Sequence, residues 1–125
     1  MICDLGGFAA SCYQRGIRFA HIPTSLLAMA DAAMGGKTGV NFGGYKNYIG
    51  RFEAPAFIWT DPTFLRTLPR QETLDGLAEI VKHAIIGSHG LWETISTFDN
   101  CLSSTSPLKF IFQTPILLKK GYGKP

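Results

Sequence analysis

The chain has 125 residues, of which 46% are hydrophobic and 17% charged, and its formal net charge is +3. This composition predicts a globular protein with a substantial core and excludes a disordered chain. The basic residues are scattered apart from the Lys119–Lys120 pair, which argues against nucleic acid as a partner. Three cysteines without metal-binding spacing favour a reducing compartment, and no apolar run reaches membrane-spanning length. We therefore expect a cytoplasmic protein that does not bind membranes.

The first segments of the chain predict a helix followed by a strand. Asp4 is expected to cap a short helix, which Gly16 then breaks. Residues 17–22 are rich in β-prone side chains, and Pro23 closes this predicted strand.

A hydroxyl pair, Thr24–Ser25, precedes a second predicted helix that ends at Gly35–Gly36. A strand, a proline, a hydroxyl pair and a helix in this order indicate a strand-to-helix unit of an α/β fold. The N-terminus of this helix could bind an anion, because its backbone N–H groups are free. Alternatively, Thr24 serves only as the helix N-cap.

The stretch from Asp31 to Gly50 has a composition that suits an anionic ligand. It contains two lysines, two asparagines and six glycines. Glycine lets a backbone approach a ligand closely, and lysine supplies a mobile positive charge. Tight turns and solvated surface charge explain the same composition without a ligand. The GGKT sequence is not a phosphate-binding P-loop, because Asp31 replaces the required glycine five positions before Gly36.

The second half of the chain predicts a hairpin, a strand and helices. Residues 39–53 are expected to form a glycine-punctuated hairpin or loop, and 56–60 a buried strand. Pro62 opens a short predicted helical turn, and helical periodicity runs from 72 to 86. The apolar face predicted for this last helix comprises Leu74, Leu77, Ala78, Val81 and Ile85. Its predicted polar face comprises Asp75, Glu79, Lys82 and His83.

The polar face of this helix has two interpretations. Glu79 and Lys82 are three residues apart, so they could form a surface ion pair. Glu79 and His83 are four residues apart and could offer two ligands to one metal ion. Two ligands do not complete a zinc site, and spacing alone leaves both interpretations open.

Five segments between about residues 4 and 95 carry a family resemblance. They are DLGGFAASCYQRGIRF, IPTSLLAMADAAMGGKTGVN, KNYIGRF, LRTLPRQE and GLAEIVKHAII. In order and spacing they resemble 3-dehydroquinate synthase, a sugar-phosphate cyclase, and the chain is similar to an internal fragment of such an enzyme.

The resemblance implies a fold and an activity. The fold would be α/β: residues 1–69 would form the second part of a Rossmann-like NAD-binding domain, and 70–98 the first helix of an all-α metal-binding domain. The tail, 99–125, matches nothing expected of that domain. The family uses NAD and a divalent metal, zinc or cobalt, to convert 3-deoxy-D-arabino-heptulosonate 7-phosphate to 3-dehydroquinate in the shikimate pathway. A ring hydroxyl is oxidised, phosphate is eliminated, the carbonyl is reduced, and ring opening and aldol closure follow.

The resemblance also implies roles for particular residues. NAD would be bound by Asp4, Thr24, Ser25, Lys37, Lys46, Phe64 and Thr67. The residues that would contact the substrate are Asp31, Lys37, Asn47 and Lys82. Arg15 would bind it from the neighbouring subunit of a homodimer. Glu79 would be a zinc ligand. The chemistry of these side chains agrees, since lysine suits phosphate and a carboxylate on a rigid helix suits a metal.

The chain departs from the family pattern at both ends. The glycine-rich turn expected before Asp4 and the later GHxxGH-type motif, which carries the family's two zinc-binding histidines, are not found in this sequence. We therefore expect poor metal affinity, no turnover and poor solubility for the 125-residue chain on its own. The tail could be a frame-altered or divergent end.

Two other functions remain open. A related cyclase that makes an inosose or a valiolone product would share the NAD-binding segments. A non-catalytic remnant would bind NAD or phosphate weakly.

Overall fold

The computed structural model describes residues 2–87 and 89–96, so the predicted tail at 99–125 lies outside the described residues. Helix α1 spans Ile2–Cys12. Asp4 therefore lies in the first turn of the helix and not at its N-cap, which corrects the predicted cap; an acidic side chain there still interacts favourably with the helix dipole. A 3₁₀ turn at Tyr13–Arg15 follows, and Gly16 ends it with φ 114°.

Two short strands form a parallel pair. Strand β1 is Ala20–His21 and strand β4 is Phe57–Ile58, with Ala20 opposite Phe57. Both strands are shorter than predicted. The prediction that 56–60 is buried is wrong, because Phe57 is 60% exposed.

An antiparallel hairpin lies between these two strands in sequence. Strand β2 spans Lys37–Phe42 and strand β3 spans Tyr45–Phe52. Gly43 and Gly44 form the turn, and a bulge shifts the register between Val40 and Phe42. The hairpin predicted over 39–53 is confirmed.

The remaining elements are helical. A π-helical segment spans Ala28–Ala32, and a 3₁₀ helix spans Pro62–Thr67 after Asp61, whose side chain accepts a hydrogen bond from the Thr63 amide at 2.9 Å. Helix α2 spans Arg70–Gly87 and helix α3 spans His89–Ser96. Helix α3 was not predicted as a separate element. Its assignment with α2 to an all-α domain stays a prediction.

The core gathers side chains from these helical elements. Its buried members are Leu26, Met29, Ala30, Leu65, Ile80, Ala84 and Leu91. Each large aliphatic side chain removed from water stabilises the fold by about 1.5–3 kcal/mol. The predicted apolar face of α2 is correct only in part: Leu77 packs against the core, but the buried positions are Gly76, Ile80 and Ala84, and Leu74 and Ile85 are exposed.

Gly76 explains how α2 is oriented. A Cβ atom at this position would lie 2.6 Å from Leu26 Cβ and 2.7 Å from the Leu27 amide nitrogen. Only glycine allows α2 to pack this closely on the segment that leads into the π-helical turn. Among the described helices, none is both long and apolar enough to cross a membrane.

Candidate functional site

A cleft of about 300 Å³ lies between α1 and the β2–β3 hairpin. Three of the residues assigned to NAD or substrate by resemblance line it: Asp4, Lys37 and Asn47. Arg51 and Phe52 of β3 also line it. A carboxylate, an amide and two cations facing one cleft are the groups that would bind a hydroxylated, anionic ligand.

Close packing of α1 on β2 positions one wall of the cleft. A Cβ atom at Gly7 would lie 2.6 Å from Thr38 Cγ2, so glycine is needed for this approach. Thr38 is buried, and its hydroxyl donates a hydrogen bond to the Arg51 carbonyl at 2.8 Å. Arg51 Nη1 in turn donates to the Ser11 carbonyl at 3.5 Å. These contacts hold α1 against both strands of the hairpin.

Asn47 has an unusual backbone conformation within β3. Its φ is 53°, in the left-handed region that asparagine tolerates better than most residues. The Asn41 side chain accepts a hydrogen bond from the Asn47 amide at 2.9 Å. This contact fixes the position of Asn47 at the cleft.

A second group of polar side chains forms where α2 meets the π-helical segment. Asp31, Glu79 and His83 each offer one donor atom, and these atoms all lie within 4.8 Å of one another. His83 Nε2 lies 3.8 Å from Asp31 Oδ1. All three residues are half-buried, so the segment that carries Asp31 covers part of the predicted polar face of α2. One imidazole and two carboxylates are ligands for a divalent transition metal.

Lys82 adjoins this second group. Its ammonium donates a hydrogen bond to Glu79 Oε2, which confirms the ion pair predicted from the spacing. The hydrogen bond to Glu79 raises the pKa of Lys82, with burial opposing the shift and Asp31 adding a further increase. Lys82 is therefore protonated at neutral pH. The ion pair does not exclude the metal interpretation, because a carboxylate has a second oxygen.

The other residues assigned by resemblance lie outside these two groups. Ser25 is half-buried and its Oγ accepts the Ala28 amide at 3.4 Å, so the helix cap falls at Ser25 and not at Thr24. Thr24, Lys46, Phe64 and Thr67 are exposed. Arg15 is exposed on the turn after α1.

Sequence reasoning missed Arg51 as a cleft residue and Asp31 as a neighbour of Glu79 and His83. Arg51 lies within the KNYIGRF segment, so the motif itself was a usable signal. The proximity of Asp31 to α2 depends on a contact between distant segments, for which the sequence has no local signal.

The fold of this chain occurs in known cyclases. A 2-epi-5-epi-valiolone synthase from Streptomyces hygroscopicus, solved with NAD⁺ and Zn²⁺ bound, superposes with a TM-score of 0.73 at 35% identity, covering 90% of this chain and 30% of that one. A 2-deoxy-scyllo-inosose synthase complexed with carbaglucose-6-phosphate, NAD⁺ and Co²⁺ superposes with a TM-score of 0.61 at 35% identity, covering 64% and 22%. The structural neighbours are thus sugar-phosphate cyclases.

The family follows from sequence comparison. Residues 1–75 match the family described as 3-dehydroquinate synthase N-terminal, and the chain belongs to this family. It is 50% identical over 99 residues to the 3-dehydroquinate synthase of Parabacteroides distasonis, covering 79% of this chain and 28% of that protein. It is 45% identical over 107 residues to that of Dehalococcoides mccartyi, covering 86% and 30%. The chain therefore spans less than a third of these relatives.

Proposed function

We propose that this chain is the central part of a cytoplasmic 3-dehydroquinate synthase, which converts 3-deoxy-D-arabino-heptulosonate 7-phosphate to 3-dehydroquinate and phosphate. The observation that supports the proposal most is that Asp4, Lys37 and Asn47 line one cleft, in a chain 50% identical to a 3-dehydroquinate synthase. Identity to the valiolone and inosose synthases is lower, at 35%. We therefore favour the dehydroquinate reaction over the other two cyclisations.

The residues of the cleft would bind and orient the ligands. Asp4 can accept hydrogen bonds from hydroxyl groups, whereas Lys37 and Lys46 can neutralise phosphate charge. Asn47, held by Asn41, can bind a substrate oxygen. Thr24, Ser25, Phe64 and Thr67 would complete the NAD site of the whole protein.

The residues around α2 would act on the reacting end of the substrate. Asp31 and Lys82 would contact substrate oxygens, and the half-buried carboxylate of Glu79 fits a ligand of zinc or cobalt. When bound, NAD supplies reversible hydride transfer, and the divalent metal polarises a substrate oxygen. Residues 70–98 would begin the all-α metal-binding domain.

Arg15 would act in a homodimer, where it would bind substrate phosphate in the neighbouring subunit. It lies on an exposed turn in which Gln14 and Arg15 have φ values of 47° and 69°. Consecutive non-glycine residues in this conformation are uncommon and cluster at functional sites. The exposed turn would present the guanidinium outward.

A chimaeric enzyme tests the proposed reaction. In the Parabacteroides distasonis synthase, the 99 aligned residues are replaced by those of this chain. We expect the folded chimaera to release phosphate and form 3-dehydroquinate. Lys37→Met in the chimaera is expected to lower kcat/KM by about a hundredfold or more, since it removes a charge-stabilising group.

Arg66→Met is the matched control, because Arg66 is an exposed cation outside the cleft and the α2 group. It is expected to leave turnover unchanged. A folded chimaera that turns over only the substrate of an inosose or valiolone synthase would show that this chain belongs to a different cyclase. A folded chimaera with no cyclase activity would favour the non-catalytic remnant.

A further inference from the structure

Helix α1 faces the hairpin along one side. Gly7 and Ser11 are buried, and they lie four positions apart, about one turn along the helix. Asp4 lies three positions before Gly7 on the same face and lines the cleft. Because a helix of this length behaves as a rigid rod, the direction of α1 decides where the Asp4 carboxylate lies relative to Lys37 and Asn47.

The contact at Gly7 does not fix this direction by itself. The helix backbone there lies so close to Thr38 that a Cβ atom on Gly7 would be 2.6 Å from Thr38 Cγ2. A rod that touches a surface at one point can pivot about that point. The Ala10 carbonyl accepts the Ile17 amide at 3.0 Å, but this bond joins α1 to the segment that leads into β1. A second contact with the hairpin would hold α1 in one direction.

Arg51 supplies this second contact. Its Nη1 donates a hydrogen bond to the Ser11 carbonyl at 3.5 Å. Ser11 is about 6 Å along the helix axis from Gly7, at a rise of about 1.5 Å per residue. The last turn of α1 contains no basic residue, so the guanidinium brings positive charge to the helix end where the dipole is negative. This attraction strengthens a hydrogen bond that is long by itself.

The hairpin fixes the position of Arg51 in turn. The Arg51 carbonyl accepts the Thr38 hydroxyl at 2.8 Å from the opposite strand. Arg51 Nε lies 3.5 Å from Glu53 Oε2, and the Glu53 amide donates to the Gly36 carbonyl at 2.8 Å, next to Lys37. Arg51 therefore connects the C-terminal end of α1 to the part of the hairpin that carries Lys37.

We propose that Arg51 is a positioning residue, which holds the C-terminal end of α1 on the hairpin and thereby sets the place of Asp4 across the cleft from Lys37 and Asn47. The proposal rests on the proposed function in treating Asp4 as a ligand of NAD. The Arg51 side chain is 50% exposed, and an ion pair at such a site contributes little to overall stability. Its effect is therefore on the direction of α1, and through Asp4 on the affinity for NAD.

Amide hydrogen exchange of the full 125-residue chain tests the contact between Arg51 and α1. Arg51→Met keeps a long side chain but removes its charge and its N–H groups. We expect amides at the C-terminal end of α1 to exchange about tenfold faster in this variant, the effect of one lost charge-assisted hydrogen bond. Amides of α2 are expected to stay as protected as in the wild type, which shows that the variant is folded.

NAD affinity of the chimaera with the Parabacteroides distasonis synthase tests the consequence for the cleft. Calorimetry is expected to show about tenfold weaker binding of NAD to Arg51→Met. The kcat at saturating NAD is expected to stay at the wild-type value, because Arg51 does not touch the reacting groups. Arg51→Lys is expected to restore most of the affinity, since its ammonium keeps a positive charge at the end of α1. Arg66→Met is the matched control and is expected to bind NAD as the wild type does.

Three results would overturn the positioning role. The first is weaker NAD binding in Arg51→Met with unchanged exchange of α1, which would mean that Arg51 binds NAD directly. The second is unchanged NAD affinity in Arg51→Met, and the third is an equal loss in Arg66→Met. A chimaera that binds NAD but turns over no cyclase substrate contradicts the proposed function alone, since both measurements on Arg51 can still be made. A chimaera that binds no NAD contradicts both proposals.

Discussion

His21 shows how one buried side chain makes folding depend on pH. It is 8% exposed, and its ring lies 5.1 Å from that of Phe19 in an edge-to-face arrangement. Burial lowers the pKa of His21 from its usual 6.5, and the nearby Asp4 carboxylate only partly opposes this shift. The His21 imidazole is therefore neutral at neutral pH in the folded chain.

The sign of the pH dependence follows from this lowered pKa. The unfolded state binds the proton more readily, so stability is fully present above pH 6.5 and is lost as the pH falls through the folded pKa. We predict a lower urea midpoint at pH 5.5 than at pH 7.5. His21→Phe is expected to reduce this difference, as followed by circular dichroism.

The control for this experiment is His89→Gln, since the His89 side chain is 85% exposed and stays in water. It should keep the wild-type pH dependence. An unchanged pH dependence in His21→Phe would contradict the account.

At the scale of the residue, the sequence predicts the chemistry of single side chains better than it predicts which of them lie close together in the fold. The i, i+4 spacing of Glu79 and His83 follows from helical geometry and could be predicted. The approach of Asp31 could not, because it depends on how α2 docks. The glycines give a second example. Gly43 and Gly44 form a turn, and Gly39 pairs with Gly50 across the hairpin. The geometry of the hairpin therefore explains glycines that the composition alone could equally assign to ligand binding.

At the scale of elements, the docking of α2 depends on Gly76. Gly76→Ala places a methyl group 2.6 Å from Leu26 Cβ and against the Leu27 backbone, so the helix must shift. We predict that the free energy of unfolding falls by about 1–3 kcal/mol, the usual cost of overpacking. Urea denaturation measures the change.

Gly6→Ala is the comparison for this prediction. Gly6 lies within α1, and a Cβ atom there would contact nothing within 4 Å. Alanine should therefore stabilise that helix by about 0.5–1 kcal/mol. Equal stability of Gly76→Ala and the wild type would contradict the proposed close approach.

The helix α2 also shows why burial is hard to predict from periodicity. Apolar residues occupy much of its circumference, so the stripe through Leu74, Leu77 and Val81 is as regular as the one through Leu77, Ile80 and Ala84, which packs in the core. The choice between stripes is made by Gly76, whose lack of a side chain permits contact, and by Leu91 of α3, which packs in the same core. Neither effect is visible in hydrophobic spacing.

At the scale of the whole molecule, large apolar side chains reach the surface. Ile85 and Ile86 are adjacent at the end of α2 and are 69% and 77% exposed. Exposed apolar side chains promote association. We predict concentration-dependent self-association of the 125-residue chain, and Ile86→Lys is expected to weaken it about tenfold or more, the effect of one buried aliphatic side chain. Sedimentation velocity over a concentration series measures this.

Gln71→Lys adds the same charge at an exposed position near the other end of α2. It separates the effect of removing an apolar side chain from that of net charge. If both variants weaken association equally, charge and not the exposed isoleucine is responsible.

The order of elements was the part of the whole fold that the sequence predicted well. Helix, strand, helical segment, hairpin, strand and helix follow one another as expected from Gly16, Pro23, the glycines of residues 39–53 and Pro62. The extent of β1 and β4 was overestimated. Short parallel strands depend on neighbouring elements for their pairing, whereas β-propensity is a local property.

The parallel pairing of β1 with β4 has a consequence for the order of folding during synthesis. The hairpin is made of neighbouring residues and can form within microseconds, whereas β1 must await Phe57 and Ile58. At about 5–20 residues per second, the ribosome completes β4 a few seconds after β1. During that interval the hydrogen-bonding edge of β1 is open, and other nascent chains can compete for it.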